Sequence, residues 1–89
     1  MPPLTPVEAG DYTEQWRLTN VASFWLPITV DNLSGQAYGL GLKSKFAFDF
    51  KVIPTALDIT CTGSKEACER FGQAIATFIA YINTQPANP

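Results

Sequence analysis

Lys45–Lys51 reads KFAFDFK, a segment in which three phenylalanines occupy alternate positions between two lysines. Alternate residues of a β-strand point to opposite faces of a sheet, so this period predicts a strand with Phe46, Phe48 and Phe50 on one face. We expect that face to lie against a helix and the lysines to lie on the other face. The segment therefore predicts a sheet with one buried side and one solvated side.

The same alternation of apolar and polar residues recurs along the chain. It occurs in Glu14–Asn20, Ser23–Asp31, Gln36–Val52 and Leu57–Cys61. A strand with one apolar and one polar face is typical of antiparallel sheets. Gln36–Val52 is longer than a usual strand, so we expect a bend or hairpin within it, near residues 43–45. Pro27 cannot donate a ladder hydrogen bond, which predicts that the second of these strands lies at an edge or bulges there.

A helical period follows the last strand, from Lys65 to about Asn83. Its apolar stripe comprises Cys68, Phe71, Ile75, Phe78 or Ile79, and Ile82. Ser64 is a good N-cap, and Glu66 in the first turn complements the helix dipole. We expect the stripe to pack on the phenylalanine row. The predicted fold is therefore α+β, with an antiparallel sheet of about four strands and one C-terminal helix packed on one face, in two layers.

The two ends of the chain lack a hydrophobic period. Residues 1–11 contain three prolines and a glycine and predict a flexible Pro-rich arm. Residues 84–89 predict a C-terminal tail, since Pro86 closes off any helix. Residues 12–83 then form a single α+β domain, as expected for a chain of 89 residues.

The composition argues against several functions. There is no histidine and there are only two cysteines, which excludes histidine-based catalysis and a tetrahedral zinc site within one chain. The carboxylates show no paired spacing, so we expect no catalytic residue, no metal and no cofactor. Cys61 and Cys68 are interpreted as small buried side chains, with a disulfide or redox role as the alternative.

Charge and hydropathy also limit the partners. A net charge of −2 gives no field that attracts nucleic acid or anionic lipid, so neither is expected to bind. The longest apolar run, Ala74–Ile82, is too short to cross a bilayer, and the first residues do not have the pattern of a signal peptide. We therefore expect a soluble, cytoplasmic protein.

Basic residues concentrate on the polar face of the predicted sheet. The candidate face for a partner or an anion comprises Arg17, Trp25, Lys43, Lys45 and Lys51. Such a face suits an anionic small molecule or an acidic protein surface, with the tryptophan as an aromatic anchor. The alternative is an ordinary solvated face on which lysines discourage edge-to-edge aggregation.

The far side of the predicted helix is polar only at its start. Its later part carries a candidate oligomer interface made of Gly72, Ala76, Ala80 and Tyr81. A helix that is apolar all round is buried all round, so we expect homo-oligomerisation through this face. The alternative is an alanine-rich helix half covered by the N-terminal arm.

One segment has a likeness to a known family. Thr55–Lys65, TALDITCTGSK, is followed by the predicted helix and resembles the last strand and second helix of a repeat of the TATA-binding-protein family. The resemblance is confined to this part of the chain and implies a strand followed by a helix. That family has two repeats and a strongly basic character, whereas this chain is short and acidic, so DNA binding is not expected.

These features together predict a small non-enzymatic protein-interaction module, such as an adaptor, inhibitor or accessory subunit, that acts as a homo-oligomer. Its expected partners are a second copy of itself and an acidic protein. The alternative is an oligomeric protein that binds or sequesters an anionic small molecule through the basic sheet face. A concave pocket with convergent polar groups would favour the second function, and a flat patch with an aromatic anchor would favour the first.

Overall fold

The structure, a computed structural model, describes residues 12–19 and 21–84. In chain order its elements are β1 (Tyr12–Leu18), a 3₁₀ turn (Ser23–Trp25), α1 (Leu26–Gly39), β2 (Lys43–Asp49), β3 (Ala56–Gly63) and α2 (Lys65–Ile82). The predicted α+β class and antiparallel sheet are confirmed. The sheet has three strands rather than about four, and a second helix is present. The predicted arm, residues 1–11, and residues 85–89 of the predicted tail lie outside the described residues.

The strand order is β1-β3-β2, so the last strand of the sequence lies in the centre of the sheet. It is antiparallel to both neighbours, and Ile59 is opposite Trp16 on one side and Phe46 on the other. Phe48 is likewise opposite Leu57. Phe46 and Phe48 therefore share a face with the buried residues of β3, as the alternation predicts. The predicted packing of the phenylalanine row on the C-terminal helix is wrong, because β2 lies mainly against α1 and Phe50, beyond the end of the strand, is exposed.

The core lies between this face of the sheet and the two helices. The fully buried residues of this hydrophobic cluster are Leu33 and Ala37 of α1, Leu57, Ile59 and Cys61 of β3, and Cys68 and Phe71 of α2. Trp16 meets Phe71 edge to face, with ring centroids 5.5 Å apart. Because each fully buried large apolar side chain contributes about 1.5–3 kcal/mol, this small cluster provides most of the driving force for folding.

Helix α2 forms where its sequence predicts it. The Ser64 hydroxyl accepts a hydrogen bond from the Ala67 N–H at 3.0 Å, which satisfies one of the free amides of the first turn. Asn83 follows as the C-cap. The buried residues Cys68, Phe71 and Ile75 belong to the predicted stripe.

The strand predicted for Ser23–Asp31 is wrong, because this segment forms the 3₁₀ turn and the start of α1. Pro27 lies in the first turn of α1, where an N–H would have no helical partner, so proline is tolerated. The buried side of α1 carries Leu26, Thr29, Leu33 and Ala37. These residues recur at helical spacing and are buried together, so the segment forms a helix although its sequence also alternates between apolar and polar residues.

The strand predicted for Gln36–Val52 is also wrong in its first half, where α1 ends. Gly41 has φ +76°, and its N–H donates to the Tyr38 carbonyl at 3.0 Å. The Leu42 N–H donates to the Ala37 carbonyl at 3.0 Å, which completes a Schellman cap. Glycine is favoured at Gly41 because other residues rarely adopt the left-handed conformation. Gly41 therefore ends the helix rather than continuing a strand.

Candidate functional site

The face of the sheet turned away from the helices is solvated and polar. Its residues, called the open face here, include Thr13, Gln15, Arg17, Lys43, Lys45, Asp49, Asp58, Thr60 and Thr62. The hydroxyls of Thr13, near the start of β1, and Thr62, near the end of β3, lie 3.0 Å apart and form a hydrogen bond between the two strands. The face agrees with the predicted polar side of the sheet.

Arg17 is held by carboxylates of its own chain. Its Nε and Nη2 donate to the two carboxylate oxygens of Asp58 at 2.8 and 2.9 Å, and Nη2 also donates to Asp49 at 3.0 Å. The backbone N–H of Lys51 and, after it, the Arg17 guanidinium hold the pKa of Asp49 below its ordinary value. Arg17 therefore links all three strands and is compensated within the open face.

Lys43 and Lys45 are exposed side chains of β2, and neither forms an ion pair with any residue that the structure describes. Lys51 lies in the turn after β2, where its backbone N–H bonds Asp49 at 3.0 Å. Arg17, Lys43 and Lys45 thus share the open face as predicted. Lys51 lies beyond the end of the strand.

Trp25 does not lie on the sheet, contrary to the prediction. It belongs to the 3₁₀ turn, packs partly against the core, and meets Phe24 edge to face with ring centroids 5.5 Å apart. The error follows from treating Ser23–Asp31 as a strand. Among the described strand residues, none on the open face is aromatic.

The open face has a shallow depression rather than an anion pocket. It has a volume of about 460 Å³ and is lined by Gln15, Trp16, Arg17, Asp58, Ile59 and Thr60. Ligand sites need polar groups that converge on the bound molecule. Here the two charged groups face each other, so the depression presents little uncompensated charge.

The four residues of the predicted oligomer interface on α2 do not share one environment. Ala76, Ala80 and Tyr81 are exposed. Gly72 is turned towards the indole of Trp16, and a Cβ atom there would lie 3.6 Å from the ring. Gly72 therefore takes part in the packing of α2 on β1. Self-association through the exposed members stays a prediction.

Tyr81 also lines a groove between the two helices. The groove has a volume of about 450 Å³, and its other lining residues are Asn32, Gln36, Ala74, Thr77 and Phe78. The Phe78 and Tyr81 rings are 6.3 Å apart, centroid to centroid. Most of the groove wall is carbon, so it offers shape and apolar contact rather than charge.

A patch of exposed apolar side chains lies at the end of β2 and in the turn that follows. It comprises Phe48, Phe50 and Ile53, which are 42%, 76% and 93% exposed, and it is called the Phe50 patch here. The Phe48 and Phe50 rings are 5.9 Å apart. Alternation correctly placed Phe48 on the helix-facing side, but it does not show how far the helices extend over that side. Phe50 falls after Asp49, the last residue of β2, a position that the turn-forming Pro54 could have indicated.

Both cysteines are buried and carry free thiols, so the prediction of small buried side chains is confirmed. Burial raises the pKa of Cys61 to about 11 and also raises the pKa of Cys68. The Cys68 thiol points at the Tyr12 carbonyl at 4.0 Å. Since only the thiolate is a good nucleophile, these thiols are poorly reactive at neutral pH.

Two further findings concern the described residues alone. They contain no group of three or more carboxylate or cysteine side chains placed to hold a metal ion. None of the helices in residues 21–84 has the length and apolar character required to cross a bilayer.

Comparisons with known protein families, with curated proteins and with solved structures found no match to this chain. Its function has to be argued from the surfaces described above.

Proposed function

We propose that this chain is a small non-enzymatic protein-interaction module that acts as a homo-oligomer, in the role of an adaptor, inhibitor or accessory subunit. The observation that carries this proposal is the Phe50 patch. Removing apolar surface from water is favourable by about 25 cal/mol per Å². Within the patch the Phe48 and Phe50 rings lie together, and exposed apolar patches on small proteins mark contact sites for other chains, in which aromatic residues are enriched.

The backbone next to the patch is well fixed, which favours binding. Phe48 lies within β2, which is paired with the central strand. Asp49, between the two phenylalanines, bonds both Arg17 and the Lys51 N–H. A surface that is ordered before binding loses less conformational freedom when a partner covers it.

We place this activity in the cytoplasm. The buried free thiols of Cys61 and Cys68 suit a reducing compartment, where disulfides are rare.

Native mass spectrometry of the protein purified from its source cells tests the proposal. We expect the wild type to appear as multiples of one chain, with or without a second protein bound. Replacing Phe50 and Ile53 by serine should reduce these species, because both side chains are exposed and their loss leaves the core intact. Tyr38→Ser is the matched control, since Tyr38 is also an exposed aromatic residue but lies near the end of α1, before β2 begins, whereas the patch follows the end of β2. A wild type seen only as single chains would overturn the proposal.

A second candidate function is binding of an anionic small molecule through the open face. The observation that favours it is the pair Lys43 and Lys45, which project beside Thr60 and Thr62. Two cations flanked by hydroxyl donors could hold a phosphate or carboxylate group. Native mass spectra that show a small-molecule adduct, lost in the Lys43→Gln/Lys45→Gln variant, would favour this function over the first.

A further inference from the structure

The sheet has two edge strands, and they differ in how they are protected. β1 and β2 each pair with β3 on one side only, so each presents a row of backbone N–H and C=O groups on its other side. Such edges invite pairing with another strand unless a charge or a bulge blocks them. A charge that points towards the helix layer is an effective block, because pairing would bury it.

β1 carries such a block. Glu14 is opposite the buried Cys61 and so lies on the helix-facing side of the sheet. The Glu14 side chain is only partly exposed, and its charge raises the pKa of Cys68 on α2, after the larger effect of burial. A strand added beside β1 would enclose this carboxylate, so we expect the β1 edge to stay unpaired.

β2 has no charge on its helix-facing side, where Ser44, Phe46 and Phe48 follow one another. Phe46 and Phe48 are only partly covered, although the residues opposite them in β3, Ile59 and Leu57, are fully buried. β2 is an edge strand, so these two rings have a neighbouring strand on one side only. A strand placed on the other side would bury both aromatic rings further.

The charged residues of β2 lie on the open face, with the positive charges at the start of the strand and the negative charge at its end. Lys43 and Lys45 are in its first half, and Asp49 is its last residue. When two copies of β2 are aligned antiparallel about Phe46, Lys43 is opposite Asp49 of the other copy, twice. A shift that centres the pair on Lys45 would put Lys45 opposite its own copy, which is unfavourable. The charge pattern thus favours an antiparallel alignment in which a lysine meets an aspartate.

We propose that two copies of this chain pair through β2, antiparallel and in the register that sets Lys43 opposite Asp49, to form a continuous six-stranded sheet from two three-stranded ones. This proposal rests on the proposed function and names the second copy as the partner. The two-fold arrangement uses up both β2 edges and leaves the Glu14-protected β1 edges outside, so assembly stops at the dimer. Asp49 keeps its bond to Arg17, because a carboxylate oxygen can accept more than one hydrogen bond.

Charge reversal with rescue tests the pairing. The dissociation constant of the dimer is measured by sedimentation equilibrium for the wild type, Lys43→Asp, Asp49→Lys and the double variant. Each single change places two pairs of like charges opposite each other across the two-fold axis of the dimer. We expect each to raise the dissociation constant of the dimer by about tenfold or more. The double variant restores opposite charges and should return the constant to near the wild-type value.

Lys65→Asp is the control, because it makes the same change of charge at an exposed position on α2. It should leave the dimer unchanged. Far-ultraviolet circular dichroism confirms that each variant is folded.

The outcomes separate the two proposals. A wild type that is monomeric at several hundred micromolar overturns both. A dimer that persists in a folded Lys43→Asp variant, or a folded double variant that stays monomeric, overturns the β2 pairing alone. In the first of these cases an Ala76→Glu variant that dissociates would assign the interface to α2.

Discussion

The unit formed by β3 and α2 is buried far more completely than the unit formed by α1 and β2. β3 lies between two strands and beneath α2, and Ile59 and Phe71 are fully enclosed. In the other unit, β2 is an edge strand, its Phe48 is partly exposed, and the hydroxyl of Thr29 in α1 is buried without a hydrogen-bond partner among the described residues. The difference indicates that stability resides mainly in the unit formed by β3 and α2.

The largest expected contrast is between two phenylalanines. Phe71→Ala leaves a cavity in the core and should lower the free energy of unfolding by about 3–5 kcal/mol. Phe50→Ala removes an exposed ring and should change it by less than about 0.5 kcal/mol. Urea unfolding followed by tryptophan fluorescence, on monomeric protein at low concentration, compares the two. Similar losses in both variants would show that the units do not differ as described.

Two glycines give a contrast of opposite sign. A Cβ atom at Gly63 of β3 would meet the Cδ2 atom of the buried Leu42, so Gly63→Ala should destabilise by about 1–3 kcal/mol. Gly35 lies within α1 with no atom near its Cβ position, so Gly35→Ala should stabilise by about 0.5–1 kcal/mol through helix propensity. Thermal unfolding in parallel samples measures both. A destabilising Gly35→Ala would mean that α1 needs this glycine for a reason not visible in its packing.

The same division explains how much of the fold could be predicted from the sequence. In β3 and α2 the local signals agree: alternation ends at Gly63, Ser64 caps, and a helical stripe begins, so both elements were placed correctly. In α1, Pro27 fits either an edge strand or a first helical turn, and the β-branched residues around it favour a strand. Only packing against the sheet decides between these structures, and a single sequence does not reveal that packing.

The candidate site was predictable to a similar extent. Alternation correctly grouped Arg17, Lys43 and Lys45, because side-chain parity along a strand is a local property. The Asp49 and Asp58 carboxylates that bind Arg17 come from two other strands, so that pairing depends on strand order. Trp25 was misplaced together with its strand. The exposure of the Phe50 patch depends on how far the helices extend over the sheet, which is a property of the packing and not of the local sequence.

Thr29 tests the weaker unit directly. Thr29→Val replaces the buried hydroxyl by a methyl group of similar size, and we expect a gain of about 1 kcal/mol in unfolding free energy because an unsatisfied polar group is no longer buried. Thr77→Val, at an exposed position of α2, is the control and should change stability by less than about 0.5 kcal/mol. Differential scanning calorimetry measures the two. A loss of stability in Thr29→Val would imply that the hydroxyl has a partner such as a bound water.

The smallest expected effect concerns Asp49 and acid. Its pKa in the folded protein lies below the ordinary value of 3.8, first because of the Lys51 N–H and then because of Arg17. A lowered folded-state pKa gives stability that is present above the unfolded pKa and is lost as the pH falls through the folded pKa. The urea concentration at the unfolding midpoint should therefore decrease as the pH is lowered below about 4, and it should decrease less in Asp49→Asn. An equal fall in both proteins would show that other carboxylates account for the acid sensitivity.

The central position of β3 has a consequence for how the chain acquires its structure during synthesis. β1 and β2 are not neighbours, and each finds its partner only in the last strand to be translated. Trp16 and Phe46 therefore stay uncovered in the nascent chain until residue 63 and the following helix have left the ribosome. Because β1 near the start of the domain pairs with β3 far along the chain, folding is a late and non-local event. During that interval the growing chain exposes aromatic side chains that pack against the core in the folded protein.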